Sequence, residues 1–221
     1  MNLLFNGGCT WGFFEYIGAI QYIKEHKIKI GKLYGISAGS GIALCVLLDV
    51  DINELIQFMT RSTFQTITAM QLAGIKFTIG NRPDAYKIAN NRLFIGLTNA
   101  DGFYFKSHFT SNNDLANALM CGGTVPVLST YDAICDNKLT LDGGIGFTKS
   151  CIPKNTIIIR PTAPFPLSAL PPPEILQQLL IKLGHVKCGH FLETKNTDIG
   201  EMWYSQPEFL PLWLHLAKCR F

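Results

Sequence analysis

The sequence predicts an α/β protein built on a mostly parallel, buried central sheet. Residues 3–5 and 32–36 are short apolar strands that each enter a glycine-containing turn, and helical patterns follow over 12–26 and 38–48. The β-branched run at 156–160 supplies a further strand. Strands that alternate with helices in this way are typical of parallel sheets covered by helices.

The middle of the chain predicts a second, less regular set of elements. These are helices over 53–61 and from a cap at Asn112 or Asn113 to about Cys121, strands over 93–98, 103–105 and 139–141, and turns at 99–102 and 136–138. Residues 62–91 favour neither a helix nor a strand. The strand at 139–141 ends directly before Asp142, so we expect this carboxyl group at the end of a strand.

Composition divides the chain into three parts. A length of 221 residues suits one domain with an appendage. Six of the eleven prolines lie within 161–173, which predicts a linker between a domain over 1–160 and a helical extension over 174–221. The extension ends in an apolar and aromatic stretch at 207–221, which either packs on the domain or contacts lipid.

Charge and composition exclude several classes of protein. The net charge is only +3 and no basic stripe with interleaved aromatic residues is present, so we expect no nucleic-acid partner. The seven cysteines are spaced singly, as is typical of reduced thiols in an intracellular protein. Neither a signal peptide nor a membrane span is predicted. We therefore expect an intracellular protein that is cytoplasmic or peripheral to a membrane.

The stretch GISAGSG, residues 35–41, indicates a nucleophilic serine. A serine hydroxyl reacts only when it is exposed, aimed and partly deprotonated, and a sharp turn from a strand into a helix aims it. Gly35 and Gly39 allow the backbone of such a turn to approach its neighbours closely. The alternative is that Ser37 only caps the helix that begins at Ala38.

The stretch NGGCTWG, residues 6–12, is a glycine-rich loop that opens the first helix. Its backbone N–H groups are candidates to bind the oxyanion that forms when an ester carbonyl is attacked. If the first two strands are neighbours in a parallel sheet, this loop and Ser37 lie at the same sheet edge. A plain tight turn or a phosphate-binding nest are the alternatives.

Asp142 is followed by Gly143 and Gly144, which permit a close approach of the backbone to a site. The alternative is an aspartate in an ordinary β-turn. The chain has five histidines, and none lies in a glycine-rich turn: His26, His108, His185, His190 and His215. The residues alone therefore leave the base unassigned, with Asp142 as a candidate.

The loop, the serine turn and the Asp-Gly pair, in this order, resemble the patatin-like phospholipase family over about residues 1–160. The interval between serine and aspartate, 142 − 37 = 105 residues, is similar to that of the family. Residues 114–126, DLANALMCGGTVP, are also similar to the helix, small-residue turn and proline that the family places before its aspartate.

The resemblance implies a three-layer α/β/α sandwich and a Ser-Asp dyad without a third catalytic residue. Ser37 would be the nucleophile, Asp142 its base, and Gly7, Gly8 and Cys9 the oxyanion loop. The other glycines of the three motifs are Gly12, Gly35, Gly39, Gly143 and Gly144. The implied substrate is a phospholipid or acylglycerol at a membrane or lipid-droplet surface, and the implied reaction needs no metal or cofactor.

Three alternatives remain open in the sequence. Cys9 and Trp11 depart from the family's loop, and they motivate a catalytically impaired relative that binds lipid. An α/β-hydrolase with a Ser-Asp-His triad is a second possibility, although its nucleophile normally follows more strands. His185, Cys188 and His190 have the residue types of a zinc site but lack a fourth ligand, so a helix and its C-terminal loop are the better interpretation.

Overall fold

The computed structural model describes residues 1–61, 66–80, 82–126, 129–162 and 172–198. Within these ranges the α-helices are α1 (Cys9–Glu25), α2 (Ala38–Leu47), α3 (Ile52–Arg61), α4 (Ile67–Ile79), α5 (Ala85–Ala89), α6 (Asn112–Gly122) and α7 (Glu174–Thr194). The strands are β1 (Asn2–Phe5), β2 (Leu33–Gly35), β3 (Leu93–Asn99), β4 (Gly102–Lys106), β5 (Ile134–Cys135), β6 (Lys138–Leu139), β7 (Leu141–Asp142) and β8 (Thr156–Ile159). Short 3-10 turns lie at Gly143–Ile145 and Lys149–Cys151.

The central sheet is mixed, and helices flank it. Its order is β4-β3-β2-β1-β8, with β7 also paired to β3. The strands β8, β1, β2 and β3 are parallel to one another, whereas β4 and β7 pair with β3 in the antiparallel sense. The sheet is therefore not purely parallel. The reversal at β4 follows from the tight turn after Asn99, where Gly102 has a φ of 114°.

Alternation along the strands divides the apolar side chains between two clusters. Leu3 and Phe5 of β1 belong to the larger cluster, which also contains buried residues of α1, α2, α6 and α7. Leu4 between them belongs to a smaller cluster, which includes Phe147 and is packed by Ile152 beside the second 3-10 turn. Residues that alternate along a strand point to opposite faces, so β1 is buried on both sides.

Helices α1 and α7 pack closely through glycines. A Cβ atom at Gly184 would lie 1.7 Å from the carbonyl oxygen of Glu15, and one at Gly18 would lie 1.8 Å from that of Ile181. Helix axes can approach this closely only where a side chain is absent. The contact fixes α7, which begins at Glu174, against the helix that leaves β1.

Several element boundaries differ from those that the sequence predicts. The first helix begins at Cys9, and the indeterminate region contains α4 and α5. The predicted cap at Asn112 or Asn113 is wrong, because Ser111 Oγ accepts the hydrogen bond from Asp114 N at 3.1 Å. The predicted strand at 139–141 is interrupted, because β6 ends at Leu139 and β7 begins at Leu141.

The division into domain, linker and extension stays a prediction. Residues 163–171 and the apolar stretch at 207–221 lie outside the described residues, and with them the predicted lipid contact. In the part of the chain that the structure describes, no helix combines the length and apolar character needed to cross a membrane.

We expect Gly184→Ala to lower the free energy of unfolding by about 1–3 kcal/mol, because the new methyl group overlaps the α1 backbone. Thermal unfolding followed by circular dichroism measures this change. Val186→Ala is the matched control, since Val186 lies on the exposed side of the same helix. An unchanged stability of Gly184→Ala would contradict the close packing of α1 and α7.

Candidate active site

Ser37 occupies a strained turn between β2 and α2, as the glycine pattern predicts. Its φ is 53° and its ψ is −130°, a conformation that a non-glycine residue rarely adopts. A Cβ atom at Gly35 would lie 2.3 Å from Ser40 Cα, and one at Gly39 would lie 2.1 Å from the carbonyl oxygen of Phe5. Both glycines are therefore needed for the turn to pack against its own helix and against β1.

The Ser37 side chain does not act as a helix cap. No hydrogen bond joins it to the first turn of α2. Two backbone N–H groups of that turn are instead bonded within the turn, from Gly39 to the Ile36 carbonyl at 2.9 Å and from Ser40 to the Ser37 carbonyl at 2.9 Å. The hydroxyl is left at the positive end of the α2 dipole, which stabilises negative charge on it.

Asp142 is fixed at the end of β7, opposite Leu97 of β3. Its side chain is fully buried, and its Oδ1 accepts a hydrogen bond from Gly144 N at 2.7 Å. Gly143 lies against the β3 backbone, because a Cβ atom there would be 2.4 Å from the carbonyl carbon of Gly96. The two glycines thus serve different purposes: one allows close packing, and the other supplies an N–H donor.

The second carboxylate oxygen of Asp142 has no hydrogen-bond partner of ordinary length and angle among the described residues. Burial raises the pKa of this carboxyl to about 6, and it does so in spite of interactions with the Ser37 hydroxyl and Gly144 N–H, which by themselves lower the pKa. The serine is thus near the carboxylate without a well-formed bond to Oδ2. Such contacts are often long or poorly aligned in unliganded active sites. A carboxylate in this state can accept a proton near neutral pH.

The glycine-rich loop offers fewer donors than its sequence suggests. Gly7 N–H is bonded to its neighbour Asn6, at 2.9 Å from Oδ1. No acceptor among the described residues pairs with Gly8 N–H, so this group remains available at the start of α1. Cys9 has a φ of 49°, which turns the backbone sharply into that helix.

Ala38 supplies a second candidate donor that the sequence pattern did not single out. It is the first residue of α2, and no acceptor within the described ranges pairs with its N–H. A donor at the residue after the nucleophile is a common half of an oxyanion hole in serine hydrolases. Its position directly after Ser37 was the signal that could have identified it.

The loop is held in place by the segment after β8. Pro161 covers it, because a Cβ atom at Gly8 would lie 2.3 Å from Pro161 Cγ and one at Gly12 would lie 3.1 Å from the same ring. The adjacent Thr162 N–H donates to the buried carboxylate of Glu15 at 2.8 Å. Lys187 Nζ of α7 lies 3.1 Å from the same carboxylate. Pro161, which the sequence assigned to a linker, therefore leaves little room for a side chain at Gly8 or Gly12.

An apolar cavity of about 110 Å³ opens beside Ser37. This volume is several times the space of roughly 10–15 Å³ that one water needs. Its lining residues come from the first four helices and from the segments around α6; they are Cys9, Thr10, Phe13, Ser37, Ala38, Gly41, Leu44, Cys45, Leu55, Met59, Ile67, Met70, Gln71, Gly74, Ile75, Thr78, Leu119, Gly123, Val125 and Ser129. No charged side chain lines it among the described residues.

Histidines lie elsewhere in the described structure. None of the four described histidines lines the cavity beside Ser37, and His215 is outside the described residues. His185, one of the three candidate zinc ligands, instead bonds Glu25 Oε2 through Nε2 at 2.7 Å. No group of three or more His, Cys, Asp or Glu side chains suited to hold a metal ion occurs in the part of the chain that the structure describes.

Comparison with known proteins adds no family: no protein-family model matches the chain, and no curated protein is significantly similar to it.

We expect Asp142→Asn to become more stable relative to the parent chain as pH rises. The Asp142 carboxyl is protonated in both the folded and the unfolded chain well below its ordinary pKa of 3.8. It is ionised in both well above its folded-state pKa of about 6. Between these limits only the unfolded state loses the proton, so the parent progressively loses stability that the amide variant keeps. The advantage of the variant should grow by about 2 kcal/mol from pH 4 to pH 8.

Urea unfolding at several pH values measures this difference between Asp142→Asn and the parent. Asp84→Asn, at an exposed aspartate, controls for the loss of one negative charge. A stability difference that does not change with pH would contradict the burial of an ionisable Asp142.

Proposed function

We propose that this protein is a serine acyl-ester hydrolase of the patatin-like type, acting on lipids through Ser37 and Asp142. The observation that carries the proposal is the proximity of Ser37 to the fully buried Asp142 carboxylate, whose pKa is about 6. Ser37 lies in a strained turn, and its side chain does not cap the helix that follows. The order of the three motifs supports the same family, and a three-layer α/β/α sandwich is the arrangement that this family would give to the sheet and its helices.

The reaction begins when Ser37 Oγ attacks the carbonyl carbon of the ester. The serine proton passes to the Asp142 carboxylate, and the carbonyl electrons move onto oxygen to form a tetrahedral oxyanion. The N–H groups of Gly8 and Ala38 bind this oxyanion, and one such donor contributes about 3–4 kcal/mol to stabilising the transition state. When the carbonyl reforms, the ester C–O bond breaks and the alcohol leaves with the proton from Asp142.

The acyl-enzyme on Ser37 is then hydrolysed by the same two steps, with water as the nucleophile and Ser37 Oγ as the leaving group. Water attacks the acyl carbon and gives a proton to Asp142, and the second oxyanion occupies the same two N–H groups. Collapse of this intermediate breaks the bond to Ser37 Oγ, which regains a proton from Asp142 as the carboxylic acid leaves. Each proton taken by the carboxylate is returned, so the dyad is unchanged after one turnover.

The lipid nature of the substrate is supported by the cavity. An acyl chain attached to the reacting carbonyl must lie beside Ser37, and the walls there are apolar side chains of α1, α2 and α4. Each methylene that enters such a site contributes about 0.8 kcal/mol. A polar acid would lose its hydration in the cavity without gaining charged partners.

We expect Ser37→Ala to fold normally and to lose hydrolysis of p-nitrophenyl butyrate by at least about a thousandfold, because no other group supplies the nucleophile. Ser40→Ala is the matched control. Ser40 lies in the first turn of α2, three residues after Ser37, and its buried Oγ has no hydrogen-bond partner among the described residues. A fluorophosphonate probe should add its phosphonyl mass to the parent and to Ser40→Ala only.

The same assay separates a dyad from a triad and from a lipid-binding relative without activity. Replacing each of the five histidines by glutamine should leave most of the activity, because Asp142 takes the proton directly. One folded histidine variant as inactive as Ser37→Ala would require a triad. A parent chain that neither hydrolyses the ester nor reacts with the probe would leave lipid binding as the remaining function.

A further inference from the structure

Two glycines of the cavity wall differ from the glycines that the fold requires. A Cβ atom at Gly41 of α2 or at Gly74 of α4 would meet nothing within 4 Å, whereas one at Gly39 would lie 2.1 Å from the Phe5 carbonyl oxygen. Both Gly41 and Gly74 are inside helices, where glycine is among the least favourable residues. Packing therefore gives no reason for glycine at these two positions, and the space in front of each is the cavity.

Gly41 and Gly74 occupy equivalent positions in two rows of cavity-lining residues, one along α2 and one along α4. Along α2 the cavity is lined by Gly41 and Cys45, and directly before the helix by Ser37; these residues are four apart and so lie on one side of the helix. On α4 it is lined by Met70, Gly74 and Thr78, with the same spacing. Each glycine is the middle residue of its row.

Contacts at the two ends fix how the rows run. At the far end, Cys45 Sγ of α2 lies 3.6 Å from Thr78 Oγ1 of α4, so the helices meet there. At the serine end, Thr10 Oγ1 of α1 lies 4.0 Å from Met70 Sδ. The cavity therefore runs from the catalytic serine, between the two glycines, to a closed end at Cys45 and Thr78.

We infer that Gly41 and Gly74 keep this channel open for a straight, uncharged acyl chain, and that Cys45 and Thr78 limit the chain to about ten carbons. This inference rests on the proposed hydrolase function, because the chain is the acyl part of the ester that Ser37 attacks. It assigns the substrate class as medium-chain acyl esters. No charged side chain lines the channel among the described residues, so an acyl chain that carries a second carboxylate at its far end, against Cys45 and Thr78, is excluded.

The length follows from helix geometry. The eight residues from Ser37 to Cys45 advance about 12 Å along α2 at a rise of about 1.5 Å per residue. An extended alkyl chain with bonds of about 1.5 Å advances roughly 1.25 Å per carbon, which gives about ten carbons. A side chain at position 41 stands halfway along this path, so only about four or five carbons would fit before it.

The test compares p-nitrophenyl butyrate with p-nitrophenyl decanoate in the variants Gly41→Leu and Gly74→Leu. The butyryl chain fits before the obstruction, so its kcat/KM should stay within about threefold of the parent value. Excluding about five methylenes from an apolar site, at about fourfold each, should lower kcat/KM for the decanoate roughly a thousandfold. Ala69→Leu is the matched control, because it adds the same side chain on the exposed side of α4 and should leave both substrates unaffected.

The unfolding temperature distinguishes a filled channel from a damaged fold, because damage to the fold would lower it. Leucine replaces a helix-destabilising glycine and fills empty apolar space, so each variant should unfold at a temperature about 2–4 °C higher than the parent. Higher stability together with selective loss of the decanoate supports the channel. Equal loss of both esters, or unchanged decanoate hydrolysis in both variants, would overturn it.

A binding measurement separates failure of this inference from failure of the proposed chemistry. In the Ser37→Ala chain, titration calorimetry should detect sodium decanoate binding at least tenfold more tightly than sodium butyrate, and Gly41→Leu in that background should abolish the preference. If the parent hydrolyses no ester but this preference is found, the chemistry is wrong and the channel stands. If the parent hydrolyses butyrate and no preference is found, the channel is wrong and the chemistry stands.

Discussion

The contact of the serine turn with the first strand is the constraint on which the rest of the site depends. Ile36 N donates to the Phe5 carbonyl at 3.0 Å, and Gly39 packs against the same carbonyl. This contact leaves no room for a side chain at Gly39, and the turn that makes it holds Ser37 in its strained conformation. Because β1 and β2 are parallel neighbours, it also sets the serine beside the loop that follows β1.

Two features of the site destabilise the folded chain, and the packing around the site compensates for this loss of stability. A fully buried carboxylate at Asp142 and a strained backbone at Ser37 both raise the free energy of the folded chain. Asp142 is held by the close contact of the adjacent Gly143 with β3, and the turn at Ser37 is held by the close contact of Gly39 with the Phe5 carbonyl. Proteins commonly store such unfavourable features at functional sites, where a preorganised base and nucleophile need no rearrangement before reaction.

The sequence predicted the parts of the site that glycine marks directly. Gly35, Gly39 and Gly143 each lie where a Cβ atom would overlap backbone, and such positions stand out in a sequence. The cavity was not predicted, because α4 is apolar on both the cavity side and the core side and so shows no clear periodicity. The role of Pro161 and the bond between Asn6 and Gly7 were also missed, since both depend on how the folded backbone brings these groups together.

The most direct test of the central claim, that Asp142 activates Ser37, is the pH dependence of phosphonylation of Ser37 by a fluorophosphonate. The rate should rise with pH, with a midpoint near 6, because the carboxylate must be ionised to take the serine proton. Asp142→Asn should react slowly at every pH and show no such midpoint. A parent rate that does not change through pH 6, or an Asp142→Asn variant that reacts as fast as the parent, would contradict the dyad.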